Sequence, residues 1–276
     1  MEISAATVKA FRDKTGLPMM DCKKALIEAG GDEEKAVEIL RKSGAKTMAA
    51  RTDRETGCGR IALYTDPKKN VSAMVELLCE SAPVSNTEEF IALVNGLAEQ
   101  LATGPGAKTA DELLAQPFPG KPGVTLKQFY DDLVNKIREV FRLTRIRRID
   151  GPCGAYVHHN AAVGVLLPLE GDNVSLGKDI SMHVASMKPQ ALSEGDIDPA
   201  AVEKERKMIL EEVQAQSKGK PENVLQKIVD GKMKAFFAER TLLGQPFVKD
   251  TAKTVQQACD EGKIKIKEMI HWVLGQ

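Results

Sequence analysis

Net charge, paired cysteines and long apolar runs are what this 276-residue sequence has little of. Its 39 Lys and Arg balance 39 Asp and Glu, which argues against a partner chosen mainly by electrostatics, such as duplex nucleic acid or an anionic membrane. Local charged patches stay possible. No apolar run approaches the roughly 18 residues that a membrane helix needs. The opening MEISAATVKAFRDK places charges where a secretory signal has an unbroken apolar segment. A cytoplasmic chain is expected. Cys22, Cys58, Cys79, Cys153 and Cys259 are odd in number and scattered, without a C-x-x-C pair. That pattern suggests neither a disulfide framework nor a zinc ribbon, and the thiols are expected to be reduced.

What is present is core-forming material. Hydrophobic residues make up 42% of the chain and charged ones 28%, enough for one large domain or two or three smaller ones. Residues 1–45 read as a three-helix module. Ser4 caps a helix carrying Val8 and Phe11 that ends at Thr15-Gly16. A second helix runs from about Met20 to Ala29 and stops at Gly30-Gly31. Asp32 caps a third, with Glu33 and Glu34 in its first turn and Lys42-Ser43-Gly44 at its close. Residues 46–59 are polar and aperiodic, a linker or a frayed helix.

Two strands, Arg60–Thr65 and Val71–Leu78, flank the turn residues Asp66 to Asn70. The stretch CESAPVSNTEEF (Cys79 to Phe90) follows as a strand end, a break at Pro83 and a cap at Asn86 or Thr87. A helix then extends from Glu88 to about Leu101. The Pro- and Gly-rich run from Gly104 to Gly123 reads as a loop, and Leu126 to Phe141 as a helix. A second hairpin, Gly154–His159 with Ala162–Leu169, precedes a helix from Leu176 to Met187, stopped by Pro189. Hairpin-then-helix therefore occurs twice, suggesting two α+β subdomains: 60–141, and 142–199 with 239–276. Between the last two segments, residues 200–238 read as two helices joined by Ser217 to Pro221. Val202, Ile209 and Val213 can face Leu225, Val229, Met233 and Phe236 along a narrow seam. A polar exterior around that seam predicts an antiparallel helical hairpin protruding into solvent. The tail from Ile264 to Val273 returns to the core, as strand after Met269.

Three constellations invite a chemical reading. GDNVSLGKD (Gly171 to Asp179) is near a phosphate-binding loop, but its glycine spacing is one residue too long and Asp179 stands where Ser or Thr is needed. A turn and helix start is the simpler reading. His158 and His159, adjacent on a strand, point to opposite faces and cannot share a metal. Arg142, Arg145, Arg147 and Arg148 could meet RNA phosphates, yet few aromatics lie nearby for base stacking. A solvated strand edge or a protein interface is the competing reading. No nucleophile, base and orienting group assemble at recognisable spacing, so nothing points to an enzyme. Met19 and Met20 stand just outside a helix start, where two thioethers need a cover: either the third helix or a partner.

The run TGLPMMDCKKALIEAGGDEEKAVEILRKSG (Thr15 to Gly44) resembles the N-terminal signature of the elongation factor Ts family. MHVASMKP (Met182 to Pro189), VEKER (Val202 to Arg206), GKMKAFF (Gly231 to Phe237) and LLGQPFVKD (Leu242 to Asp250) are similar to further family segments, in the family's order. The resemblance implies a fold and a role. The fold is α+β: a three-helix module like a ubiquitin-associated domain, a core of two subdomains with antiparallel hairpins, and a protruding helical hairpin. The role is guanine nucleotide exchange on elongation factor Tu, without covalent chemistry, cofactor, metal or small-molecule substrate, and without a nucleic-acid or membrane partner. Arg12, Met19 and Met20 match family positions that contact the GTPase domain. Ser81, Ala82, Pro83 and Val84 match a loop that helps displace the partner's nucleotide-bound magnesium. There the family usually carries Thr-Asp-Phe-Val. Ala82 thus replaces the acidic residue and Pro83 the aromatic wedge, so the loop's position survives without its usual side-chain chemistry. A scaffold or chaperone that binds elongation factor Tu with weak exchange activity is the alternative, and an RNA-binding protein a more distant one.

Overall fold

The computed structural model describes residues 3–49, 51, 53–216 and 221–276. Most of the turn expected from Ser217 to Pro221, and residues 50 and 52 of the expected linker, lie outside them. The chain divides into two compact units: one runs up to Arg148 with His159–Ala162 and Val273–Gln276, the other comprises Ile149–His158 and Val163–Trp272.

The first unit begins with helices α1 (Ala5–Thr15), α2 (Met19–Glu28) and α3 (Glu33–Ala49). Ser4 caps α1 by accepting from the Thr7 amide, and Gly16 ends it in the left-handed conformation with φ 68°, as the sequence leads one to expect. Val8, Phe11, Cys22, Ala25, Leu26, Ala36 and Leu40 form the module's own core. Two boundaries differ from expectation. Helix α2 starts at Met19 because Pro18, with φ −57°, stands as its cap, and the Pro18 carbonyl accepts from the Asp21 and Cys22 amides. Helix α3 passes through Gly44 to Ala49. Gly44 is no terminator: a Cβ there would lie 1.8 Å from the Asn135 amide oxygen, so the glycine permits close approach to another helix.

That helix is α7 in the run β1 (Cys58–Asp66), β2 (Val71–Cys79), α4 (Ala82–Ser85), α5 (Glu88–Thr103), α6 (Ala110–Leu114), α7 (Leu126–Ile137) and β3 (Arg142–Asp150). The module is tied to α7 by charge as well as by fit. Arg41 grips Asp132 through two bonds of 2.9 Å, and Arg138 pairs with Asp21. Strands β1 and β2 form the expected antiparallel hairpin, Cys58 opposite Cys79 through Asp66 opposite Val71, and β3 completes the sheet in the order β1-β2-β3. Helices α5 and α7 cover one face, burying Phe90, Leu93, Leu97, Leu101, Leu126 and Leu133 against Val75 and Leu77. The Pro- and Gly-rich loop contains a helix that its composition hides: Thr109 caps α6 by accepting from the Glu112 amide.

In the second unit, β4 (Cys153–Val157) and β5 (Val163–Glu170) form the second hairpin, followed by α8 (Val174–Met187), α9 (Pro199–Gln216), α10 (Glu222–Arg240), β6 (Pro246–Phe247), β7 (Asp250–Thr254), α11 (Val255–Glu261), β8 (Lys265–Ile266) and β9 (Ile270–Val273). The sheet runs β4-β5-β8, with β9 also paired to β5. Its core joins Val165, Leu167, Ile180 and Val184 to Leu242, Val255 and Ile266. Helices α9 and α10 carry a separate apolar cluster in which Ile209, Val213, Val229, Met233 and Phe236 are buried, with Val202 and Leu225 packed beside them. That is the expected seam. The architecture is α+β with N-terminal helices and antiparallel sheets.

Candidate partner-binding surfaces

Helices α1 and α2 set the first candidate surface. Met19 and Met20, the opening residues of α2, are 44% and 62% exposed, so the module's own core does not claim them. Two turns on, Ile27 is 51% exposed and lengthens this apolar strip, although the sequence reading passed over it. Heptad-like spacing from Met20 to Ile27 was the signal that could have found it. Arg12 is exposed on α1. Among the described residues no carboxylate pairs with its guanidinium. An exposed cation on α1 and exposed thioethers on α2 suit a protein partner that offers both apolar and acidic groups.

The second candidate surface is the stretch after β2. Ser81 precedes the one-turn helix α4, in which Ala82 is first and Pro83 second. A proline fits there because the first-turn amides have no helical acceptor in any case. Ala82 and Pro83 are exposed, while Val84 packs on the core beneath. The turn is tightly held. The Ser85 hydroxyl and the Asn86 side-chain amide both donate to the Ala82 carbonyl, at 2.8 and 2.9 Å, and the Thr87 hydroxyl donates to the Val84 carbonyl at 2.9 Å. Thr87, rather than Asn86, then caps α5 by accepting from the Phe90 amide.

The residues that fix this turn were invisible in the sequence. Glu139 accepts from the Ser81 hydroxyl at 2.6 Å and from the Ser81 amide at 3.1 Å. Glu80 returns the gesture by accepting from the Val140 amide at 2.8 Å and from Arg54 at 2.9 Å. Burial pushes the Glu80 carboxyl up, but the Val140 amide and Arg54 outweigh it and hold the carboxyl below its ordinary value. Arg60 reaches the Asn86 side chain at 3.0 Å. No spacing rule links Glu139 to a serine 58 residues earlier. Only the fold does. The result is a stiff turn whose two outermost side chains are a methyl and a pyrrolidine ring.

The other constellations find structural roles. Gly171 to Asp179 is a turn and helix start: Asn173 caps α8 by accepting from the Leu176 amide, and Asp179 pairs with Lys249 at 2.7 Å. His158 and His159 lie just past β4 rather than on it, because the strand ends at Val157. A hydrogen bond of 2.9 Å joins His158 Nδ1 to the Tyr156 hydroxyl. The arginine run is strand β3. Arg142 donates to the Arg54 carbonyl at 3.0 Å, and Arg148 to the Leu101 and Gly104 carbonyls at 3.1 and 2.8 Å. Arg145 binds buried Glu76 and the Val273 carbonyl. Among the described residues, no group of three or more His, Cys, Asp or Glu is placed to hold a metal ion. No helix there is long and apolar enough to cross a membrane.

Two of the family-like segments meet in space. His183, from MHVASMKP, is fully buried and bonded through Nε2 to the Gln245 side chain at 2.8 Å, while its Nδ1 accepts from the Val248 amide at 3.2 Å. Gln245 and Val248 belong to LLGQPFVKD. Burial lowers the His183 pKa, against a smaller opposing contribution from Gln245. The neutral ring thus donates from one nitrogen and accepts at the other.

Comparisons with known proteins agree on one family. The family model described as Elongation factor TS matches residues 83–276. The chain is 37% identical over its full length to the whole of the Elongation factor Ts of Hydrogenobaculum sp.. It is 39% identical over all of its length to 91% of the Elongation factor Ts of Azoarcus sp.. For the Elongation factor Ts of Kineococcus radiotolerans the identity is 40% over 91% of both chains. Matches of this length and identity carry the N-terminal module, both hairpins and the paired helices together. The chain belongs to the elongation factor Ts family, the guanine nucleotide exchange factors of elongation factor Tu.

Proposed function

We propose that this chain works in the cytoplasm as a nucleotide exchange factor that binds elongation factor Tu in its GDP form, promotes GDP release and holds the empty state until GTP binds. The reading needs no covalent chemistry. By linkage, a protein that binds the empty GTPase more tightly than the nucleotide-bound form weakens nucleotide binding by the same factor, each tenfold being about 1.4 kcal/mol. Arg12, Met19 and Met20 serve as the anchor on the GTPase domain. Ser81, Ala82, Pro83 and Val84 form the exchange segment.

The observation that carries the reading is the held turn at Ser81 to Val84, with Ala82 and Pro83 exposed at its tip and Glu139 beneath. A preorganised projection enters a partner with little ordering cost. With neither charge nor aromatic ring at its tip, it acts as a rigid spacer between surfaces that grip elsewhere. That same feature favours a second reading, in which the chain binds elongation factor Tu as a scaffold or chaperone with weak exchange. Release of a fluorescent GDP analogue from the cognate elongation factor Tu, with and without this chain, separates the two. Accelerated release supports exchange; tight binding at an unchanged release rate supports the scaffold and refutes exchange.

A further inference from the structure

Cys58 and Cys79 stand directly opposite each other on β1 and β2. The Ile61 amide turns away from β2 and donates to the Ala161 carbonyl at 2.7 Å. By the two-residue alternation of an antiparallel pair, Cys58 and Cys79 occupy a hydrogen-bonded register, in which facing Cα atoms lie about 5.5 Å apart. Protein disulfides span about 4.4–6.8 Å between Cα atoms. Facing residues share a side of the sheet, and both thiols pack on the same apolar cluster. Gly59 keeps the strand ends close, since a Cβ there would lie 2.3 Å from the Leu77 carbonyl oxygen. The two thiols differ in reach. Cys58 is half-buried and Cys79 fully buried, and burial, reinforced by Glu139 and by Cys58 itself, pushes the Cys79 thiol up to about 12. The Cys79 thiol donates to the Ser81 carbonyl at 3.3 Å, the first residue of the held turn.

We propose that Cys58 and Cys79 are a reversible oxidation site, at which hydrogen peroxide converts the two thiols into a cross-strand disulfide that loosens the Ser81–Val84 turn. The consequence for exchange rests on the function proposed above. Cys58, the less buried of the two, reacts first: its sulfur takes one peroxide oxygen as the O–O bond breaks, giving a sulfenic acid and, after proton transfer, one water. The Cys79 sulfur then attacks the Cys58 sulfur. The S–S bond forms, the S–O bond breaks, and the hydroxyl leaves with the Cys79 proton as a second water. Two thiols are oxidised by two electrons and one peroxide is reduced by two. The high pKa of Cys79 makes the second step slow, so the disulfide builds up under sustained exposure. A disulfide has no S–H, and the Ser81 carbonyl loses its donor.

The test uses the full chain in reduced form, exposed to hydrogen peroxide, alkylated and mapped by peptide mass. Cys58 and Cys79 are expected to cross-link within one chain, while Cys22, Cys153 and Cys259 remain open to alkylation once the protein is unfolded. Dithiothreitol should restore both thiols. Stimulated GDP release should fall at least about threefold in the oxidised form and recover on reduction. C58S should keep the basal rate and lose the response, and C79A should stop at a Cys58 sulfenic acid that dimedone traps. Over-oxidation of Cys58 without a cross-link in the native chain overturns the proposal. So does a cross-link that leaves the release rate unchanged. A reduced chain that does not stimulate release would instead sink the proposed function, because the mass map reads the disulfide without it.

Discussion

Replacing Glu139 by alanine should release the Ser81–Val84 turn and leave the sheet beneath it in place. The carboxylate accepts two hydrogen bonds from Ser81, at 2.6 and 3.1 Å. Bonds to a charged acceptor contribute about 1.5–3 kcal/mol each. Both partners are half-buried, so water replaces part of what is lost and the effect falls to the lower end of the range or just below it, ~2–3 kcal/mol for the pair. A local opening made easier by that amount is ~30–150 times more populated. Hydrogen exchange followed by mass spectrometry should therefore show the hydrogen-bonded amides of Ser81, Ser85 and Asn86 exchanging faster by about that factor, with those of β1 and β2 unchanged. Ser81→Ala removes only the shorter bond and should give about a tenfold effect. Stimulated GDP release should fall alongside, since a loose projection loses its preorganisation. Less than about threefold acceleration of amide exchange in Glu139→Ala, or an equal acceleration across the whole sheet, would refute the clamp.

Replacing Arg12, Met19 and Met20 together by alanine should weaken binding to elongation factor Tu by about 1–3 kcal/mol per anchor at an unchanged melting temperature; titration calorimetry reads the first and circular dichroism the second. Pro83→Ala should change stimulated GDP release by less than about tenfold, under ~1.4 kcal/mol of barrier, and Ala82→Asp with Pro83→Phe should leave it unchanged or raise it. A hundredfold loss in Pro83→Ala at constant affinity would show that the ring is the wedge. At Glu76, 2% exposed, burial raises the carboxyl's pKa, but Arg145, the Thr144 hydroxyl and the Gly275 amide outweigh it and set the net value low. Its stabilising effect is therefore complete above the unfolded carboxylate value of about 4.3 and fades as pH falls through the lower folded value. Glu76→Gln should cost about 2–3 kcal/mol near neutrality, and the gap to the parent protein should close in urea melts taken toward pH 3.

Local signals were enough for much of this chain. Ser4, Gly16 and the apolar stripe between them define α1 because capping and periodicity act within a few residues. The same short range made the two hairpins, the α9–α10 seam and the exposed Met19-Met20 pair readable, and dense family-like segments supplied the partner. Errors came where a local sign had a distant cause. Gly44 looked like a helix stop, yet it is a contact with Asn135. His158 and His159 looked like strand residues, but the hairpin had already begun to turn. The clamp from Glu139, the opposition of Cys58 and Cys79, the bond from His183 to Gln245 and the burial of Glu76 beside Arg145 join residues far apart in the chain. Periodicity and capping report on neighbours in sequence. The stiffness of the Ser81–Val84 turn depends on which groups the folded sheet and helices bring within hydrogen-bond reach, and that was decided by tertiary structure alone.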